Sequence, residues 1–208
     1  EISCSLVGSE MCIRDRLDSG EIYLNGEKIT ISHPRDAIRH HIIIASEDRK
    51  ALGLFLDRSI RENISIQNFD LMSKGGFINK PKEKNLCQDY AAQMATKMNG
   101  IEDAAGSLSG GNQQKVVLAK CMLSAPKVLI MDEPTRGIDV GAKAKIYNIM
   151  LDMAKRGIAI IMISSEMPEL IGMSDRVNVM CGGRITGELL GEEAKSQQTI
   201  LKLALGGD

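Results

Sequence analysis

The apolar run Val128-Leu129-Ile130-Met131, closed by Asp132-Glu133-Pro134, constrains this chain more than any other stretch. Consecutive apolar residues without polar alternation describe a strand covered on both faces, as inside a parallel sheet. Asp139 is placed to cap a helix reaching to Arg156, Gly157 stops it, and Ile158 to Ile163 supplies a second buried strand. Strand, helix and strand in that order predict an α/β fold with a mostly parallel sheet. Two adjacent carboxylates at the carboxyl end of such a strand stand where open α/β sheets bind ligands. In a nucleotide-hydrolysing site Asp132 would hold Mg2+, through water, and Glu133 would orient or deprotonate the attacking water. The plainer alternative is a strand-terminating turn with solvated acids.

Leu108-Ser109-Gly110-Gly111-Asn112-Gln113-Gln114 opens a second informative segment, a helix carrying Val116, Val117, Ala119, Cys121 and Leu123 toward a core and ended by Pro126. Glycines at a helix start let a ligand approach the backbone. The free first-turn N–H groups and the Ser109 hydroxyl would form an uncharged cradle for an anion such as a terminal phosphate. Each such bond to a charged group contributes roughly 1.5–3 kcal/mol. A Ser-Gly-Gly cap alone also suits a plain loop. Its specificity comes from the apolar strand that begins 18 residues after Gly110 and ends in the acid pair.

Upstream, Ile22 and Leu24 alternate with polar residues, Asn25-Gly26 suits a tight hairpin turn, and Ile29 and Ile31 resume the alternation. Ser32 and Pro34 predict a short helix through Arg39, followed by the strand Ile42 to Ala45 that ends at Ser46-Glu47-Asp48-Arg49-Lys50. From about Ser59 to Leu123 the pattern is helical and polar, with the Lys80 to Lys84 run read as a surface loop and Glu83 to Met98 as a helix. A last hairpin, Arg176 to Met180 and Arg184 to Leu189, precedes a helix through Ala194 to Leu205.

Composition narrows the function classes. With 26 Lys+Arg against 27 Asp+Glu among 208 residues, there is no basic field to hold a phosphate backbone. Three Tyr, three Phe and no Trp offer few platforms for stacking bases, so nucleic acid is not an expected partner. One main domain is expected at this length. The longest apolar run, Ile158 to Ile163, is far short of a membrane span. Five cysteines without a C-x-x-C pair fit a reduced, cytosolic setting. His33, His40 and His41 are expected on the surface or in packing rather than as ligands.

Taken together, Leu108 to Gln114 and Asp132-Glu133-Pro134-Thr135-Arg136-Gly137-Ile138-Asp139 resemble the signature, Walker B and D-loop of ABC ATPases. Ser46 to Lys50, the Asn112-Gln113-Gln114 ending, Arg136 to Lys143 and Ile163-Ser164-Ser165-Glu166 narrow the resemblance. They look like the second, C-terminal nucleotide-binding domain of bacterial monosaccharide importers of the ribose, galactose and xylose type. The resemblance runs from Leu17 to Gly207. It implies a P-loop NTPase-like ABC domain over residues 17–208: a mostly parallel sheet, an antiparallel β segment and a helical subdomain at about 59–107. The implied cofactors are ATP and Mg2+. Ser109, Gly110, Gly111 and Gln113 would bind nucleotide held mainly by an opposing domain, Asp139 would sit at the dimer seam, and Asp132 and Glu133 would be the metal and catalytic carboxylates. Glu47 stands where the Q-loop glutamine is expected and Ser165 where many ABC domains carry the switch histidine. Arg49 and Lys50 lie where the family faces its membrane subunit.

The implied partners are a second nucleotide-binding domain, membrane permease subunits and, indirectly, a periplasmic sugar-binding protein. The implied location is the cytoplasmic face of the bacterial inner membrane. The chain holds no Gly-Lys pair, so the phosphate-wrapping loop is expected to be missing, with Leu6-Val7-Gly8-Ser9 as a remnant of its opening. Residues 1–16 fit neither the family nor a clean period and read as foreign or misjoined sequence on an N-terminally truncated frame. Such a fragment is expected to hydrolyse little ATP alone and to donate its signature to a partner. The alternatives are a non-hydrolytic docking module and a soluble non-transport ABC ATPase.

Overall fold

A computed structural model of the chain describes residues 19–206. The segment 1–16, with Leu6 to Ser9, lies outside the described residues. The chain divides into two compact units, one spanning Ala37–Ile161 and the other made of the flanking residues up to Asp36 and from Met162 on.

In chain order the elements begin with strands β1 (Ile22–Leu24) and β2 (Glu27–Ile29), helix α1 (Pro34–Arg39) and strand β3 (Ile42–Ala45). A π-helical turn (Arg49–Gly53) leads to helices α2 (Ile60–Ser65) and α3 (Phe69–Met72), the short strands β4 (Ser73–Lys74) and β5 (Phe77–Ile78), and helix α4 (Lys80–Gln93). Helix α5 (Gly110–Leu123), strand β6 (Val128–Asp132), helix α6 (Val140–Lys155) and strand β7 (Ala159–Ile163) follow. The chain closes with helix α7 (Met167–Met173), strands β8 (Arg176–Cys181) and β9 (Arg184–Leu190) and helix α8 (Gln197–Ala204).

In the three-stranded sheet β6 is central, between β3 and β7; β7 is exposed at Ala159 and half-buried from Ile160 to Ile163, because it is the edge strand and not the covered strand its apolar run predicts. Strands β3 and β6 run parallel, with Ile42 opposite Val128 and Ala45 opposite Met131. Val128, Leu129, Ile130 and Met131 are all buried, as their unbroken apolar run predicts. Burying each such side chain contributes about 1.5–3 kcal/mol. Helix α5 packs against α2, α4 and β3, and is buried from Gln113 to Leu123. It stops where Ala125 turns to φ 47° before Pro126.

Local chemistry explains the neighbouring elements. Ser59 and Glu62 form a reciprocal cap on α2: Ser59 Oγ accepts from the Glu62 amide at 3.1 Å, and Glu62 Oε2 accepts from the Ser59 amide at 2.9 Å. The expected loop at Lys80 to Lys84 is instead the first turn of α4. Asn79 Oδ1 accepts from the Lys82 amide at 3.0 Å, and Pro81 sits in the first turn, where its missing N–H costs nothing. That helix ends at Gln93, short of the expected Met98, because Ala95 turns to φ 48°. The middle segment also contains the β4–β5 hairpin, which the helical pattern did not foretell.

In the flanking unit the hairpin β1–β2 forms as expected, with Asn25 at φ 54° and Gly26 at φ 81° supplying its turn. Strands β8 and β9 pair antiparallel, with a register shift at Val179 and Met180. Val177, Val179, Leu189, Ala194 and Ile200 form their core, against which Met167, Ile171, Leu203 and Ala204 pack.

Candidate functional site

The parallel register of β3 and β6 has a direct consequence: with Ala45 opposite Met131, the chain leaves both strands at the same edge. Residues 46–49 and 132–137 therefore emerge side by side. Glu47 and Arg136 form an ion pair there. Arg49 reaches the same loop, donating from Nη1 to the Arg136 carbonyl at 2.9 Å and from Nη2 to the Gly137 carbonyl at 3.4 Å. Arg136 is thus held by its side chain and by its backbone.

The loop after β6 is two consecutive turns. Asp132 and Glu133 are half-buried, and Glu133 takes φ 45°, a left-handed conformation uncommon for a residue with a Cβ. Strain of this kind collects at functional sites. The Arg136 amide donates to the Glu133 carbonyl at 3.1 Å, and the Ile138 amide to the Thr135 carbonyl at 3.2 Å, with Pro134 and Thr135 buried beneath. Asp139 then caps α6, its Oδ1 accepting from the Ala142 amide at 2.9 Å. This is the capping role expected from sequence, and it leaves the Asp139 side chain exposed.

Helix α5 begins beside this loop. Ser109 is its N-cap residue in extended geometry, and no side chain caps the first-turn amides. The Ser109 hydroxyl accepts instead from Asn112 Nδ2 at 3.0 Å, while Asn112 Oδ1 accepts from the Lys97 amide at 3.0 Å. Ser109 is exposed, Gly110 half-buried and Gly111 buried. The glycines serve close packing within the chain as well. A Cβ on Gly110 would meet Arg49 Nη2 at 2.7 Å and the Gly137 carbonyl at 3.5 Å. One on Gly111 would meet Ala142 Cβ at 2.7 Å.

Ser109, Gly110, Gly111, Glu47 and Asp139 are accordingly brought into one neighbourhood, with Asp132 and Glu133 at the start of the same loop. Gln113 is turned inward: it is buried, its Nε2 donates to the Ala105 carbonyl at 3.4 Å, and its Oε1 has no protein partner. Ser165 lies in the other unit, exposed in the turn after β7, next to Ser164, whose Oγ donates to the buried Glu169 carboxylate at 2.5 Å. The clamp by Arg49 was not foreseen. Nothing in the Ser46 to Lys50 stretch announces that its arginine will find two carbonyls on a distant loop. His41, expected on the surface or in packing, places Nδ1 at 3.0 Å from the Ala125 carbonyl.

The uncapped amides are the donors here that suit the phosphates of a nucleotide, and Asp132 is the carboxylate that could take part in holding a hard cation. Uncapped amides at an exposed helix start suit phosphate oxygens. Among the described residues no group of three or more His, Cys, Asp or Glu side chains could hold a metal. A divalent ion beside Asp132 would complete its shell with phosphate and water, the usual habit of Mg2+. Pairing with Arg136 also offsets the charge that Glu47 would bring near a phosphate.

Residues 5–136 match the ABC transporter family model. The chain is 48% identical over 192 residues to the ribose import ATP-binding protein RbsA of Bacillus cereus, covering 92% of this chain and 38% of that protein. It is 51% identical over 188 residues to the xylose import ATP-binding protein XylG of Thermoanaerobacter pseudethanolicus, covering 90% of this chain and 37% of that one. The chain therefore spans less than two-fifths of the length of these relatives. Among solved structures, the ADP conformation of the ATP-binding cassette MJ1267 superposes with a TM-score of 0.72 at 23% identity, covering 92% of this chain and 78% of that one. The dimeric cassette MJ0796 bound to ADP and Pi gives 0.69 at 17% identity, covering 85% and 75%. These two likenesses establish the fold, and with the family match and the sequence relatives they show that the chain belongs to the ABC transporter family of ATP-binding proteins.

Proposed function

We propose that this chain is part of the ATP-driven energy-coupling subunit of a sugar importer and donates its α5 cap to a nucleotide held by a second nucleotide-binding domain. The observation that carries the reading is the exposed Ser109 at the start of a helix whose first-turn amides no side chain caps. Such amides, with the positive end of the helix dipole behind them, favour the negative charge of a terminal phosphate. The sequence relatives, both sugar-import ATP-binding proteins by name, supply the substrate class.

The division of labour follows from the residues. Ser109 and the half-buried Gly110 would present the amide-lined face, with Gly111 buried behind them against Ala142. Asp132 would hold the Mg2+ that neutralises phosphate charge, and ATP would supply the phosphoanhydride bond whose hydrolysis drives transport. Glu133, set by its left-handed backbone at the strand end, would orient or deprotonate water at the site built on this chain's own strand. Asp139 and the loop before it would line the seam with the partner domain. The permease, and through it a sugar-binding protein, would be engaged at the cytoplasmic face of the membrane. No helix among the described residues is long and apolar enough to cross that membrane.

The test mixes the 208-residue chain with a nucleotide-binding domain bearing an intact phosphate loop and follows ATP turnover. The chain alone is expected to hydrolyse little ATP and to stimulate the partner. Ser109→Arg, which fills the cap face with a long side chain, is expected to abolish the stimulation. A partner rate that Ser109→Arg leaves unchanged overturns the proposal.

A further inference from the structure

The π-helical turn Arg49–Gly53 is fastened at both ends. Asp48 Oδ1 accepts from the Lys50 amide at 2.9 Å and the Ala51 amide at 3.0 Å, and these bonds hold its carboxyl below its ordinary range. At the other end the Gly53 carbonyl accepts from the buried ammonium of Lys120, on α5. A Cβ on Gly53 would lie 3.3 Å from Val117 Cγ2, so the turn is seated closely on α5. Val117 and Gly110 are separated by about 10 Å along that helix at 1.5 Å per residue. The Arg49 side chain starts beside Gly53 and runs toward the helix start, its guanidinium ending beside Gly110 while bonding the carbonyls of Arg136 and Gly137. Its Nε is buried without a hydrogen-bond partner. A guanidinium that leaves one N–H unsatisfied to keep two carbonyls on another loop is committed to that loop.

We infer that Arg49 is a positioning residue: from the π-helical turn it locks the Arg136–Asp139 loop onto the start of α5, so that loop and cap meet a partner domain as one preformed face. The part played by that face rests on the function proposed above, whereas the lock itself does not. Arg49 bonds the loop carbonyls and lies against Gly110, behind the exposed Ser109. Its loss acts on how well the face is assembled, and any displacement of the turn moves the face with it.

The experiment compares wild type, Arg49→Ala, Arg49→Lys and Gly110→Ala by amide hydrogen exchange of the chain and by stimulation of the partner domain. The Arg136 and Ile138 amides, both bonded within the loop, are expected to exchange roughly tenfold or more faster in Arg49→Ala, the scale of one lost charge-assisted bond. Arg49→Lys, with one donor centre in place of a fork, is expected to fall between. Gly110→Ala puts a methyl 2.7 Å from Nη2, inside contact range, and is expected to displace the guanidinium and reproduce the faster exchange, while adding it to Arg49→Ala changes nothing further. In the mixed assay kcat is expected to fall with the KM for ATP nearly unchanged. Wild-type exchange at Arg136 and Ile138 in both Arg49→Ala and Gly110→Ala overturns the lock. Faster exchange with undiminished stimulation overturns its positioning role. A wild-type chain that gives no stimulation rejects the proposed function, and the exchange result then decides the lock by itself.

Discussion

Gly111 and Ala142 bring α5 and α6 together at backbone range: a methyl on Gly111 would stand 2.7 Å from the Ala142 Cβ and 3.6 Å from Ile138 Cγ2. Alanine is the better helix former by about 1 kcal/mol. Overpacking costs about 1–3 kcal/mol, and a methyl facing a methyl on a neighbouring helix has no flexible end to yield. Gly111→Ala is therefore expected to lower stability in urea unfolding, and Gly111→Ala with Ala142→Gly to recover most of the loss. Equal midpoints for wild type and Gly111→Ala would sink the argument.

Asn63 ties both ends of the turn before α2 together. Its buried amide accepts from the Phe55 amide at 2.7 Å and donates to the Phe55 and Ser59 carbonyls, each at 2.9 Å. Asn63→Ala is expected to cost about 2–4 kcal/mol, because it leaves several backbone groups without their partner. Asn63→Asp keeps the acceptor but loses the donors and buries a charge, so it should be no more stable than the alanine variant. Chemical denaturation of the pair measures this directly.

Lys120 is buried on α5, and loss of hydration pushes its ammonium below the ordinary lysine value of 10.5. In the unfolded chain the same group keeps its ordinary value and binds more protons in the interval between the two. Stability then rises with pH from the lowered folded value up to 10.5. Lys115 is shifted in the same direction, chiefly by burial, so the comparison must isolate Lys120. Lys120→Met is expected to flatten the alkaline limb of the stability–pH curve relative to wild type. Parallel curves would show that the charge carries no such cost.

Glu133 holds a left-handed backbone with φ 45° at the end of β6. Glycine adopts that conformation without steric penalty, and the strain removed is of order 1–3 kcal/mol. Glu133→Gly is expected to fold more stably than Glu133→Ala, which loses the same carboxylate but keeps the strain, while Glu133→Gln and Glu133→Gly both lose about 100-fold or more in any turnover at the site built on this strand. Denaturation and single-turnover hydrolysis in the assembled complex provide the two readings. A glycine variant no more stable than the alanine variant would remove the strain argument.

The ion pair between Glu47 and Arg136 is expected to matter little for folding. Both side chains are well exposed, and pairs of that kind contribute about 0–1 kcal/mol. A double-mutant cycle of Glu47→Gln and Arg136→Gln should give a coupling below about 1 kcal/mol that fades with added salt. A larger, salt-resistant coupling would mark the pair as part of the lock.

Much of the fold was legible wherever a rule acts within a few residues. Asn25-Gly26 demands a positive-φ turn, Asp139 accepts from an amide three residues on, and Val128 to Met131 tolerates no exposed face. The same locality explains one misreading: the charged run at Lys80 to Lys84 is a helix start because Asn79 caps it, and composition alone obscured that cap. The β4–β5 hairpin and the π-helical turn are too short to leave a periodic signal.

The site divided in the same way. Residue type and order alone determined that a glycine-opened helix, an acid pair at a strand end and a capped helix after it occur together, since each is written in contiguous residues. Only the tertiary structure decided that Arg49 would seize the carbonyl of Arg136, 87 residues away, that Ala142 would occupy the space left by Gly111, and that Gln113 would face inward. Those outcomes depend on the parallel register of β3 and β6 and on which helix lies against α5. Such pairings are set by the burial of the whole core, to which no single segment holds the key.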